Sequence, residues 1–440
     1  MDARILRDPM SGMVIDLTDG PALDPVDLQP ALQAMSRLEA GAVSNPDEGR
    51  QVGHYWLRDP ALAPTEAIRA AIEDCESDID DLTCDSHDTL LWIGIGGSAL
   101  GPQLLHRALS GPHDRLSVHF MDNVDPHGIK STLARVDPRR TLVVVVSKSG
   151  GTVETRCALD AAAAHWDRHD EPLGPHAIAI TGKGSLLDRR AQDDGWRASL
   201  PVWDWVGGRT SITSAVGQVL MTLCGWDRRA LLEGARDVDA WCRRKPEDNP
   251  AAQIAALLYQ SCESGTHGLV VQPYSDALDL LSRYLQQLIM ESIGKEQDRA
   301  GTLARKGILV LGNKGATDQH ALMQQILDGR SDVISIFVDI ADRSPSTTDA
   351  DGRPLADHLL GMLEGTRSAL RDRGRPSLLV QIPTADPRGL GQIIALFERV
   401  VGVWAELLNI NAYHQPAVES GKKAAKQTLS LLDELESALS

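Results

Sequence analysis

LLWIGIGGSALGP, at residues 90–102, joins a short apolar run to a glycine-rich turn and the start of a helix. Glycines at such a turn let backbone N–H groups approach a phosphate closely at the helix N-terminus. Gly94, Gly96 and Ala99 also fit the dinucleotide-binding pattern GxGxxG/A, and Asp122 stands where a ribose-binding acid is expected. The segment predicts a strand–turn–helix unit and leaves three possibilities open: a phosphate site, a nicotinamide dinucleotide site, and a tight turn with no ligand.

From residue 90 onward, short runs rich in Val and Ile alternate with longer helical stretches. Such alternation is typical of parallel sheets with helices on both faces. The predicted strands are Leu90–Ile95, Leu116–Phe120, Leu142–Val146, Ala177–Thr181, Leu269–Gln272, Ile308–Leu311, Val333–Val338 and Leu378–Ile382. They form two sets separated by a mainly helical stretch near Trp226–Ser264, so we place a domain boundary near Gly225.

The two sets of strands divide the chain into four parts. These are an N-terminal segment (1–60), a first domain with the phosphate-binding loops (61–225), a second domain (226–415) and a C-terminal helix (416–440). Residues 1–60 carry no motif that we can interpret. The last part is amphipathic from Pro416 to Leu439, and proline is tolerated at the first position of a helix. We therefore expect an α/β protein of two doubly wound parallel-sheet domains plus a C-terminal helix.

Composition excludes several classes of protein. The formal net charge of −17 and the lack of a basic run argue against a nucleic-acid partner. No stretch approaches the roughly 18 apolar residues of a membrane span, and the N-terminus MDARILRDPM lacks the apolar core of a signal peptide. The six cysteines form no CxxC pair, and no HxH or HExxH cluster is present. We expect a cytoplasmic protein with free thiols, no metal and no membrane partner.

A second glycine- and hydroxyl-rich segment follows the third predicted strand. Ser147-Lys148-Ser149-Gly150-Gly151-Thr152 combines three hydroxyls, a lysine and two glycines at a predicted helix N-terminus, which makes a compact phosphate cradle. A dinucleotide enzyme needs no second cradle beside its first. The segment therefore favours a phosphate-bearing ligand over a dinucleotide, and the alternative is a plain solvated loop.

Two side chains could take part in acid–base or anion-binding chemistry. Arg209 follows two glycines and could bind a carboxylate, a phosphate or a developing oxyanion, or form only a surface ion pair. Glu291 lies four residues after Gln287, on the same face of an apolar helix. A partly buried glutamate suits a general base, and the alternative is an ion pair with Lys295.

Two further segments lie late in the chain. Thr317-Asp318-Gln319-His320 predicts a helix with Thr317 as its N-cap and His320 in its first turn, where the helix dipole disfavours a charged imidazole. QPAVESGK, at residues 415–422, puts Lys422 about two helical turns after Gln415. Both residues are candidate site residues. The alternatives are that His320 has only a structural role and that Lys422 is simply solvated.

Taken in order, six segments of the chain resemble those of the glucose-6-phosphate isomerase family. They are GIGGSALGP (Gly94–Pro102), SKSGGTVET (Ser147–Thr155), GGRTS (Gly207–Ser211), QLIMESIGK (Gln287–Lys295), GNKGATDQH (Gly312–His320) and QPAVESGK (Gln415–Lys422). The resemblance covers residues 90 to 422. It implies flavodoxin-like sugar-isomerase domains and a cofactor-independent enzyme that interconverts glucose 6-phosphate and fructose 6-phosphate.

The resemblance also implies the roles of individual residues. Glu291 would move a proton between C2 and C1 through a cis-enediol, and Arg209 would stabilise the enediolate. The residues implied to hold the substrate phosphate are Ser98, Ser147, Lys148, Ser149 and Thr152.

The remaining matches concern ring opening and assembly. His320 and Lys422 would assist ring opening, and Gln287 and Gln415 would contact the substrate. The family is a homodimer in which the residue matching His320 enters the partner's site. Two departures are SGGT where many members carry TFTT, which removes a hydroxyl, and ESIGK in place of ESNGK.

Two other functions fit part of these motifs. One is an NAD(P)-dependent oxidoreductase built on Gly94–Ala99, and the other is a non-catalytic phosphosugar-binding regulator. A regulator needs only the phosphate cradle, so the additional presence of Glu291 and Arg209 favours an enzyme.

Overall fold

The computed structural model describes residues 4–21, 25–84, 86–330, 332–344 and 347–439. Its helices and parallel-stranded sheets confirm the α/β class, and each predicted strand is present with small shifts at its ends. No helix within these ranges is both long and apolar enough to cross a membrane.

The N-terminal segment folds into two short hairpins and a helix, which the sequence did not predict. Its elements are β1 (Ile5–Arg7), β2 (Val14–Asp16), α1 (Gln29–Glu39), β3 (Val43–Asn45) and β4 (Arg50–Gln51). These strands are too short for a residue alternation to stand out.

The first domain is built on a five-stranded parallel sheet. Its elements are α2 (Glu66–Asp80), β5 (Thr89–Ile93), α3 (Leu100–Leu109), β6 (Ser117–Met121), α4 (Pro126–Leu133), β7 (Thr141–Ser147), α5 (Val153–Asp167), β8 (Ala177–Thr181), α6 (Leu186–Asp193), β9 (Ala198–Pro201) and α7 (Ala215–Cys224). The strand order is β6-β5-β7-β8-β9. β7 and β8 are buried throughout because helices cover both faces, which explains their unbroken apolar sequences.

The second domain contains a six-stranded sheet. Its elements are α8 (Arg228–Trp241), α9 (Pro250–Glu263), β10 (Gly268–Pro273), α10 (Leu281–Ile293), β11 (Lys295–Gln297), β12 (Leu303–Lys306), β13 (Leu309–Leu311), α11 (Gly315–Asp318), α12 (Met323–Asp328), β14 (Val333–Ile340), α13 (Leu355–Asp372), β15 (Ser377–Ile382) and α14 (Pro387–Leu407), followed by α15 (Val418–Leu439). The order is β1-β2-β15-β14-β10-β13, and β11 pairs with β12 in a separate hairpin.

β1 and β2 extend the sheet of the second domain. β2 runs antiparallel to β15, with Asp16 opposite Leu379, whereas β10, β13, β14 and β15 are mutually parallel. Part of residues 1–60 therefore belongs to a sheet built mostly from the other end of the chain. The domain boundaries given above stay predictions.

Two predicted helix starts are wrong. α11 begins at Gly315 with Lys314 as its N-cap, so Thr317 lies inside the helix and His320 follows its end. The Asp318 carboxylate accepts a hydrogen bond from the backbone N–H of Asn313 at 3.0 Å, so an aspartate organises this turn. α15 begins at Val418, and Pro416 lies in the preceding turn.

α14 is buried along almost its whole length and packs closely against α8. A Cβ atom on Gly391 would lie 1.9 Å from the carbonyl oxygen of Leu231, and one on Gly234 would lie 2.0 Å from that of Arg388. The two helices therefore meet backbone to backbone, and glycine is required at the contact.

One glycine inside the helix contact and one outside it should respond to alanine substitution in opposite directions. Gly391→Ala forces α8 and α14 apart, and we expect it to lower the free energy of unfolding by about 1–3 kcal/mol. Gly361→Ala, in exposed α13 with open space around the new methyl group, should raise it by about 0.5–1 kcal/mol. Urea unfolding midpoints measure both changes, and equal stability of the two variants would contradict the close packing.

Candidate active site

Two loops of the first domain lie at the carboxyl end of its sheet, where open α/β sheets bind ligands. Gly96–Ser98 forms a short 3₁₀ turn after β5, and residues 148–152 connect β7 to α5. A Cβ atom on Gly97 would lie 2.1 Å from the carbonyl oxygen of Gly208. Glycine thus lets the Ser98 turn touch the loop that carries Arg209.

The hydroxyls of the second loop face one another. Ser147 Oγ donates to Thr152 Oγ1 at 3.2 Å, and the Gly151 N–H donates to Ser149 Oγ at 3.2 Å. Thr152 is the N-cap of α5, but its side chain makes no capping hydrogen bond. The first-turn N–H groups of α5 are therefore left to bind an anion together with these hydroxyls.

Lys148 ties this loop to a neighbouring one. Its ammonium donates to the carbonyl oxygens of Asp204 at 2.9 Å and Val206 at 3.0 Å. Burial, with a smaller contribution from Arg50, lowers the pKa of Lys148 to about 8. The direct phosphate contact implied for Lys148 stays a prediction.

Arg209 is a buried cation, 6% exposed, and not the surface ion pair considered above. Its Nε donates to Ser292 Oγ at 2.7 Å, and its Nη2 donates to the carbonyl oxygens of Ala412 and His414. Its Nη1 donates to Glu291 Oε2 at 3.0 Å and to Gln415 Oε1 at 2.6 Å. One guanidinium therefore joins the first domain, α10 and the segment before α15.

Glu291 is held between two donors. Gln287 Nε2 donates to Oε1 at 3.2 Å, while Arg209 occupies Oε2. Lys295 donates to the main-chain carbonyl of Glu291, so the alternative ion pair with its carboxylate is not formed. The side chain of Glu291 remains 29% exposed, which leaves the carboxylate open to a ligand.

The β3–β4 hairpin supports the site, which sequence reasoning missed. Asn411 Nδ2 donates to Asn45 Oδ1 at 2.9 Å and to Asp47 Oδ2 at 2.6 Å, and Asn45 Nδ2 donates to the carbonyl of Tyr413 at 3.2 Å. These bonds hold the segment that supplies Gln415 and two acceptors to Arg209. Partners 366 residues apart leave no local signal in the sequence.

Two predicted site residues stand apart from this network. His320 is exposed in the turn after α11, and no hydrogen bond or ion pair of the described residues connects its imidazole to Arg209 or Glu291. Lys422 is part of α15, but its side chain is not among those that the structure describes.

A separate cleft of about 500 Å³ lies at the carboxyl end of the second sheet. Its two basic side chains are already paired, Lys314 with Asp276 at 2.8 Å and Arg343 with Asp339 at 2.7 Å. This cleft therefore suits a phosphate less well. Across the described ranges, no group of three or more His, Cys, Asp and Glu side chains is arranged to hold a metal ion.

Comparison with known proteins identifies the family. The family described as "Phosphoglucose isomerase" matches residues 36–359 and 363–438. The chain belongs to the phosphoglucose isomerase family. A glucose-6-phosphate isomerase of Geobacter sulfurreducens is 46% identical and covers 98% of this chain and 86% of its own. One from Synechococcus sp. (strain JA-3-3Ab) is 48% identical over 91% of this chain and 79% of its own.

The tertiary structure agrees with membership of the phosphoglucose isomerase family. The crystal structure of a glucose-6-phosphate isomerase from Chlamydia trachomatis superposes with a TM-score of 0.88 at 26% identity, covering 96% of this chain and 89% of that one. The predicted family, α/β fold and aldose–ketose isomerase class are therefore confirmed. The oxidoreductase and the non-catalytic regulator are not favoured.

The contacts of Arg209 predict that lysine cannot replace it. Lysine keeps the charge but cannot donate in a planar fork to α10 and to the 412–415 segment together. We expect Arg209→Lys to lower the kcat of isomerisation by roughly 10²–10³-fold. Arg69→Lys, in an exposed pair with Glu66 on α2, is the control and should keep full activity. A wild-type kcat in Arg209→Lys would show that only the charge matters.

Proposed function

We propose that this chain interconverts glucose 6-phosphate and fructose 6-phosphate by general acid–base catalysis through a cis-enediol, with no metal or other cofactor. The observation that carries the proposal is the Glu291 carboxylate, held between Arg209 and Gln287 and open to a ligand. We place the reaction in the cytoplasm, in glycolysis and gluconeogenesis.

The substrate phosphate would bind at the carboxyl end of the first sheet. We assign it to the hydroxyls of Ser98, Ser147, Ser149 and Thr152 and to the first-turn N–H groups of α5. The ammonium of Lys148 is held by two carbonyls. Lys148 would therefore add positive charge near the phosphate through its place in the loop. This cradle would act equally on substrate and transition state, so it would supply affinity and orientation.

Glu291 would move the carbon-bound proton. It would remove the proton from C2 of the open-chain aldose and return it to C1, while the hydroxyl proton passes from O2 to O1, so no atom is gained or lost. Arg209 would stabilise the negative charge that develops on the enediolate oxygens. Gln287 would orient the carboxylate, and Gln415 would contact the substrate beside Arg209.

His320 and Lys422 would assist opening of the sugar ring. Since the imidazole of His320 makes no described contact with the site of its own chain, we propose that it serves the partner's site in a homodimer. Exposed apolar side chains support a dimer: Leu429, Leu431 and Leu432 on α15, and Leu309 and Leu311 on edge strand β13.

The role of Glu291 is tested by isotope exchange. Glu291→Gln removes the base but keeps the size of the side chain, so turnover should fall by about 10²–10⁴-fold while phosphosugar binding persists. Deuterium uptake from heavy water at C2, followed by NMR, should fall in parallel. Glu296→Gln, on the exposed side of β11, is the matched control. Exchange at the wild-type rate in Glu291→Gln would assign the proton transfer to another group.

The shared site is tested by mixing inactive subunits. In a mixed dimer of His320→Ala and Glu291→Gln, one site carries both lesions and the other neither, so about half of the wild-type activity per dimer should return. Mixing Glu291→Gln with Arg209→Lys is the control, because both residues belong to one chain's site and every mixed site then carries a lesion. Confirmed subunit exchange without recovered activity would place His320 in its own chain's site or outside catalysis.

A further inference from the structure

Lys295 is a buried lysine close to the Glu291–Arg209 pair. It begins β11, immediately after the helix that carries Glu291, and is 6% exposed. Its ammonium donates to the main-chain carbonyl of Glu291. This carbonyl belongs to the last turn of α10, where the helix itself provides no N–H partner.

Among the described residues, no carboxylate forms a direct ion pair with Lys295. An ammonium has three N–H donors, and within the described residues the carbonyl of Glu291 is its only hydrogen-bond acceptor. The Glu291 carboxylate turns away from it to Arg209 and Gln287. Lys295 therefore holds the backbone of Glu291, and its charge lies close enough to interact with both Glu291 and Arg209.

The charged groups around Lys295 come from four elements. They are Arg209 in the 3₁₀ turn Gly208–Thr210, Glu291 on α10, Asp47 in the β3–β4 hairpin and His414 before α15. Glu48 of the hairpin adds negative charge near Arg209 and His414. Burial and Arg209 lower the pKa of Lys295 to about 7, against the opposing effect of Glu291 and Asp47. Lys295 is therefore protonated on the acid side of neutrality.

We propose that Lys295 is a positioning residue for the general base: its hydrogen bond fixes the last turn of α10, and its positive charge favours the ionised form of Glu291. The inference rests on the proposed role of Glu291 as the base. Helix carbonyls near a C-terminus are commonly satisfied by a nearby lysine, and a cation near a carboxylate lowers the pKa of that carboxylate. The proposal joins both effects in one side chain.

Three substitutions separate the hydrogen bond from the charge. Lys295→Met removes both, Lys295→Gln keeps an N–H donor without charge, and Lys295→Arg keeps both. Lys306→Met is the matched control, because Lys306 lies opposite Lys295 in the β11–β12 hairpin and pairs with Glu263 at the surface. The measurements are kcat, KM and the pH dependence of kcat/KM, with thermal unfolding to verify the fold.

The positive charge of Lys295 determines the direction in which the acid limb of kcat/KM should move. Without the cation, ionised Glu291 is less favoured, so the acid limb of kcat/KM should move to higher pH by about one unit in Lys295→Met and Lys295→Gln. Lys295→Arg and Lys306→Met should keep the wild-type limb. kcat should fall roughly tenfold in Lys295→Met and less in Lys295→Gln, with KM nearly unchanged. Ionisation of the substrate phosphate is common to all variants, so the difference between enzymes isolates the protein group.

Unshifted acid limbs in folded Lys295→Met and Lys295→Gln would overturn the electrostatic role. An equal loss of kcat in all three Lys295 variants would reduce Lys295 to a packing residue and also overturn the proposal. If Lys295→Met does not fold, the contrast between the Gln and Arg variants decides the question. A wrong assignment of Glu291 as the base would be recognised separately, because deuterium exchange at C2 would then be undiminished in Glu291→Gln.

Discussion

The buried guanidinium of Arg209 imposes the main constraint on this molecule. A buried charge costs several kcal/mol unless its donors are satisfied, and the planar guanidinium presents five N–H donors in fixed directions. The acceptors come from α10, from main-chain carbonyls at residues 412 and 414, and from Gln415. Two segments that are distant from Arg209 in the sequence must therefore arrive at set positions around its side chain. The packing of the two domains and the assembly of the site thus depend on the same contacts.

This constraint explains why the beginning of the chain reaches the site. The carbonyls that accept from Arg209 belong to an irregular segment with no helix or sheet to hold it. Asn45 and Asp47 of the β3–β4 hairpin bind Asn411 and the backbone of that segment, and so keep the carbonyls in place. The N-terminal hairpin thus acts on Arg209 through the segment between them.

The two groups of candidate site residues lie on different supports. The Ser147–Thr152 loop follows a strand of the parallel sheet of the first domain, and Glu291 lies on a helix of the second. A lysine binds main-chain carbonyls beside each support: partly buried Lys148 beside the Ser147–Thr152 loop, and buried Lys295 at the carbonyl of Glu291. In both cases burial lowers the pKa of the amine, to about 8 and about 7, because the charged form loses hydration.

The sequence by itself determined the strands, because parallel strands covered on both faces must be continuous apolar runs, as in β7 and β8. It also determined which residue types occupy the candidate site, since glycines, hydroxyls and a glutamate four residues from a glutamine are local patterns. Only the tertiary structure decided that the carboxylate of Glu291 pairs with Arg209 and not with Lys295. It also decided the cap of α11 and the place of β1 and β2 in the second sheet. The hydrogen bond between Asn45 and Asn411 is likewise a product of the fold. The physical reason is that a polar group can bind several partners of the right chemistry, and only the folded backbone decides which partner comes within hydrogen-bonding distance.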